Sequence, residues 1–120
     1  MEPAQERGRT MVTKDPAPNW LAAQGREREW QRLLAHLRDA PGHLPSTVRR
    51  AVFDNAEVAA DLAPFVDTVV RCAHRLTDGD VAALVRAGYS EDEIFEAIIV
   101  AAAGAADRRL QAARRTMAEA

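Results

Sequence analysis

Between Thr77 and Glu93 the chain spells out a helix start, a helix stop and a second helix start, and this punctuation constrains the fold more than any other feature. Thr77-Asp78-Gly79-Asp80 has the Thr-x-x-acid form of a capping box, with Asp in place of the commoner Glu or Gln, and Val81, Ala82, Leu84 and Val85 follow in a helical apolar pattern. Gly88 suits the left-handed residue that ends such a helix. Ser90-Glu91-Asp92-Glu93 is then a full capping box opening the last and longest helix. In that helix Ile94, Ile98, Ala101, Ala102, Ala105 and Leu110 are expected on adjoining inward faces, while Ala103, Gly104 and Ala106 keep its middle narrow enough for a neighbour to approach closely. No run alternates in the manner of a strand, and Ile98-Ile99-Val100 lies among helix-forming alanines, so the fold class is all-α.

Upstream, Asn19 can cap a helix whose Trp30, Leu33, Leu34 and Leu37 share one face, with Gly25 weakening its start and Ala40-Pro41-Gly42 ending it. Ser46 through Val52 or Phe53 reads as a short helix with Val48, Val52 and Phe53 inward. A helix from about Glu57 to Arg75 follows, with Pro64 in its first turns or dividing a short helix from a longer one. Residues 1–18 carry charges and three prolines with few large apolar side chains, which predicts a flexible tail. The expected organisation is a tail over 1–18, a helix over 19–40 and a helical domain over 44–120.

The 120 residues fit one small domain, and a core built largely from Ala offers little area per residue, so association with further copies is expected. A net charge of −2 provides no field for nucleic acid, and no apolar run reaches the roughly 20 residues of a membrane span. The N-terminus lacks the hydrophobic stretch of a signal peptide. Cys72 is the only cysteine, which excludes an internal disulfide and a Cys-only zinc site and suits a reducing compartment. A cytoplasmic protein without metal or cofactor is the expectation.

The stretch from Thr77 through Ala87-Gly88-Tyr89-Ser90-Glu91-Asp92-Glu93-Ile94, continuing over Ala101-Ala102-Ala103-Gly104 to Arg108-Arg109-Leu110, resembles the alkylhydroperoxidase-D and carboxymuconolactone decarboxylase superfamily. The resemblance extends from about Leu44 onward. It implies a small helical bundle, homo-oligomers such as trimers or hexamers, and active sites near subunit interfaces. Thiol peroxidases of this kind carry a Glu, a Cys-x-x-Cys and a His about eight residues before the helix-ending Gly. Counting back from Gly88 puts Asp80 at the His, Ala73 and Leu76 at the two cysteines and Asp61 near the Glu. Cys72 misses the first cysteine position by one residue, a rotation of about 100° on a helix. Dithiol peroxide reduction is therefore not expected.

Among candidate catalytic groups, Cys72 and His74 stand two apart, a spacing that turns helical side chains to different sides; a small buried hydrophobe beside a surface histidine is the simpler reading. Asp80 and Asp61 are the carboxylates nearest the transferred site, although capping is a simpler role for Asp80. Arg71 and Arg109 are the candidates for holding a substrate carboxylate. Glu96 and Asp107 are isolated acids on the long helix with Arg108, Arg109, Arg114 and Arg115 nearby, a pattern that favours structural ion pairs. His36 and His43 stand alone, and Trp20 and Trp30 are read as packing groups. No phosphate-binding Gly loop, His-Glu-x-x-His helix or Ser-nucleophile elbow occurs. These residues point to a carboxymuconolactone-decarboxylase-like protein that binds a small organic acid or lactone and carries out cofactor-free decarboxylation or isomerisation. A non-catalytic oligomeric scaffold or partner-binding module, and a single-cysteine peroxidase, are the alternatives.

Overall fold

The computed structural model describes residues 19–119, and among them all regular structure is helical, with no strand. The elements are α1 (Asn19–Asp39), α2 (Ser46–Phe53), α3 (Ala63–Cys72) continued by a single 3₁₀ turn (Ala73–Arg75), α4 (Asp78–Arg86) and α5 (Glu91–Glu119). The tail expected over 1–18 lies outside the described residues, as does the side chain of Trp20. By contact the chain divides into Met1–Leu33 and Leu34–Ala120, a division that falls inside α1. In the first unit the described residues form a helix in which Gln31 donates to Glu27 at 2.9 Å, Trp30 is half-buried and Leu33 is exposed.

The second unit is organised on α5. Ile94, Ala97, Val100, Ala101, Gly104 and Ala105 make one buried row along it, and α2, α3 and α4 all pack against this helix. They contribute Val52 and Phe53, then Phe65, Val66 and Val69, then Leu84, with Leu34, Leu44 and Leu62 completing the core. Each large side chain removed from water in this way contributes about 1.5–3 kcal/mol before entropy is counted. Gly104 sets the α2–α5 distance, because a Cβ there would run into the backbone carbonyl of Phe53. Arg108 donates to that same carbonyl and so satisfies one of the free acceptors at the end of α2.

Local chemistry marks the boundaries as the sequence suggests. Thr77 and Asp80 exchange both capping-box bonds, at 2.9 and 3.2 Å, and Ser90 and Glu93 do the same at 2.8 and 3.1 Å. Gly88 has φ +106°, and the Gly88→Val85 and Tyr89→Leu84 amide bonds around it close α4 with a Schellman turn. The same device ends α2, with Asn55 in the left-handed position at φ 56°.

Two expectations are corrected. The helix anticipated from Glu57 begins at Ala63 and gives way to the 3₁₀ turn after Cys72. A start at Glu57 would have left Pro64 inside the helix, where it removes a backbone bond and clashes with the preceding turn; in the first turn of α3 it does neither. On α5 the inward row excludes Ala102 and Leu110, which are exposed, and Ile98 is only half-buried.

Candidate functional site

The residues singled out from the sequence are spread over the turn before α3 (Asp61), α3 (Arg71, Cys72), the 3₁₀ turn (His74), α4 (Asp80) and α5 (Arg109). Asp61 and Asp80 line one cleft of about 180 Å³ together with Thr68 and Phe65. Both carboxylates have structural partners: Asp80 accepts the Thr77 amide, and Asp61 accepts the Tyr89 hydroxyl at 2.9 Å. Burial, reinforced by this bond to Asp61, pushes the Tyr89 phenol above its ordinary value, so it remains a donor at neutral pH. Arg71, Cys72, His74 and Arg109 do not join this cleft. Arg71 is exposed and paired with Asp67 at 2.7 Å, and Arg109 donates to the Val70 carbonyl at 2.7 Å. Cys72 is half-buried at the end of α3, while His74 is exposed on the 3₁₀ turn, so the two share no site.

Sequence reasoning missed a polar joint at the turn between α1 and α2. Glu96, on α5, accepts the backbone N–H groups of His43 and Leu44 at 2.9 and 2.8 Å, and its carboxylate stands 3.6 Å from Nε of Arg49. Arg49 is only 4% exposed, and its guanidinium also donates to the Leu37 carbonyl at 3.2 Å. Gly42 leaves space for the carboxylate, since a Cβ there would approach Glu96 Oε2 to 2.5 Å. Beside this joint Arg50 binds Asp39 at 2.9 Å; desolvation raises the Asp39 carboxyl, but the bonds from Arg50 and Arg38 outweigh it and hold the group below its ordinary value. The one signal available from sequence was a lone acid in the apolar stretch of α5, which pointed to an ion pair without naming Arg49.

A cleft of about 240 Å³ opens next to the joint, lined by His36, His43, Arg49, Asp92, Phe95 and Glu96 among others. His43 and Asp92 stand 4.0 Å apart and are mostly exposed, too far for the hydrogen bond that would orient an imidazole as a base. Glu96, occupied by two amides and Arg49, and Arg49, bonded to Leu37, hold the chain together here.

The most ligand-like concavity lies between α2 and the segment 57–62. It has a volume of about 570 Å³, with walls of Leu44, Val48, Ala51, Val58 and Leu62 and a polar edge of Thr47, Glu57, Tyr89 and Glu93. Its lining includes no Lys, Arg or His. Among the described residues no group of three or more His, Cys, Asp or Glu side chains is arranged to hold a metal ion, and no helix is long and apolar enough to cross a membrane. No family model, curated protein or solved structure matches the chain.

Proposed function

We propose that this chain is a helical domain of the alkylhydroperoxidase-D and carboxymuconolactone decarboxylase kind that lacks the dithiol peroxidase site and binds a small molecule in the larger cleft. The observation that carries this reading is the cleft's lining, an apolar body with a polar edge made mainly of acceptors. An ionised carboxylate only accepts, as at Glu57 and at Glu93, one of whose oxygens already accepts the Ser90 amide, and the Tyr89 hydroxyl already donates its hydrogen bond to Asp61. A ligand with an apolar body and a donating head, an amine or an alcohol, satisfies that edge; a free organic acid is repelled by it. The carboxylate-holding role considered for Arg71 and Arg109 has no support in their placement, since both guanidinium groups are engaged elsewhere. The resemblance alone would imply trimers or hexamers, whereas the Ala-rich core favours association of copies without fixing their number.

Titration of the full chain with hexylammonium, hexanol and hexanoate, followed by backbone-amide NMR, tests the reading. Hexylammonium is expected to shift Val48, Val58 and Tyr89 at lower concentration than hexanoate. Glu57→Gln/Glu93→Gln should abolish that order, and because Gln also serves in a capping box the fold is retained. Equal response to acid and amine, or shifts confined to other surfaces, would refute it.

A second reading, acid–base chemistry on a small ligand, has one observation in its favour: Asp61 and Asp80 line the same cleft. Carbon-detected titration of the two carboxyls decides it, since a neutral-pH acid must keep its proton above about pH 5. Two carboxyls ionised by then would end this reading.

A further inference from the structure

The buried row of α5 accounts for only one side of that helix. On the other side Phe95, Ile99, Ala102, Ala106, Leu110, Ala113 and Met117 succeed one another at spacings of 4, 3, 4, 4, 3 and 4 residues. At about 100° per residue they fall in a sector roughly 80° wide, facing away from the row that runs from Ile94 to Ala105. Phe95 is 63% exposed, Met117 75% and Leu110 36%, and the three alanines are exposed as well. A helix apolar on both faces normally has both covered.

We propose that a second copy of the chain covers this face, α5 lying antiparallel to α5 about a two-fold axis at Ala106. Two features of the stripe and one of the whole helix select that occupant. Its spacing is palindromic about Ala106, so each residue meets the position a two-fold operation requires, as in any isologous interface. Its sizes are self-complementary: Ile99 falls opposite the partner's Ala113 and Ala102 opposite the partner's Leu110, large against small, with Ala106 against itself where the helices come closest. The charges of α5 agree at the level of half-helices, because residues 91–105 carry Glu91, Asp92, Glu93 and Glu96 while residues 106–119 carry Arg108, Arg109, Arg114 and Arg115 against Asp107 and Glu119. Antiparallel pairing sets the acidic half of each helix beside the net basic half of the other and aligns the helix dipoles head to tail, whereas parallel pairing sets like halves together. The stripe repeats every 11 residues, about 3.67 per turn, close enough to the helical period for the two helices to stay in contact along it. A contact strip about 33 Å long and about 10 Å wide covers about 330 Å², well under the roughly 800 Å² per partner of a standard interface. The dimer therefore dissociates on dilution.

Sedimentation equilibrium of the full chain from about 1 to about 300 µM tests this. The mass is expected to rise from the 13.1 kDa of one chain toward twice that. Ala106→Glu should hold it at one chain throughout while circular dichroism stays unchanged, since the position is exposed. In a Cys72→Ser background, oxidation of Ala106→Cys should give a disulfide-linked dimer and Met117→Cys none. A chain that stays monomeric at the highest concentration leaves the face to the chain's own N-terminal segment or another protein, and overturns the proposal. A dimer indifferent to Ala106→Glu, or cross-linked through position 117, overturns it equally.

Discussion

The turns on either side of the α2–α3 pair solve one problem in opposite ways. At the α3–α4 turn the free amides at the start of α4 are satisfied from within, by Thr77 and Asp80 three residues apart. At the α1–α2 turn the free amides of His43 and Leu44 are satisfied by Glu96, 53 and 52 residues further on respectively. The first turn is a property of its own segment. The second exists only when α5 is in place, and it carries Arg49 into the interior with it. An acid used locally stabilises one helix end, whereas an acid used at long range fixes the relation between elements.

The difference can be broken most sharply at Glu96. Glu96→Ala leaves two amides and a buried guanidinium without their partner and is expected to cost about 3 kcal/mol, read from the urea midpoint. Adding Arg49→Met should recover part of the loss, because the isolated charge is then gone. Gly104→Ala tests whether α2 tolerates any displacement from α5, and contact of the new Cβ with Phe53 backbone predicts a loss of about 2 kcal/mol in the same measurement. Asp80→Ala and Ser90→Ala, by contrast, remove single capping contacts and should each cost about 1 kcal/mol. If either matched Glu96→Ala, the distinction between local and long-range fastening would fail.

The smallest effect concerns Tyr89, next to the stop of α4. Its phenol is raised in the folded chain, so the folded state holds the proton more tightly than the unfolded state does. The resulting stability is fully present below the ordinary value of 10.0 and disappears as pH rises through the folded value. Urea midpoints of the parent should therefore fall more steeply above pH 10 than those of Tyr89→Phe. Parallel profiles would remove the Tyr89–Asp61 contact from the stabilising interactions.

What could be read in advance follows the same division. The two capping boxes, Gly88 and the long final helix are written in residues three or four apart, and each is found where the sequence places it. The beginning of α3 is not legible in the same way, because apolar spacing alone cannot say how far before Pro64 a helix starts. The fit of Gly104 against Phe53 and the Glu96–Arg49 joint join residues far apart in the chain, and no local pattern announces such contacts. The candidate site was legible to a similar degree. Counting from Gly88 brought Asp61 and Asp80 to one cleft, but it could not foresee that both would already be bonded, nor that the larger cleft would be edged by Glu57, Tyr89 and Glu93.

The long reach of Glu96 also has a consequence in time. A ribosome adding about 5–20 residues each second delivers this carboxylate roughly 3–10 s after the amides of His43 and Leu44 that it will hold. During that interval the nascent α1–α2 turn has only water for its amides and Arg49 has no counter-charge, so the first half of the domain must wait, still hydrated, for the last helix to emerge.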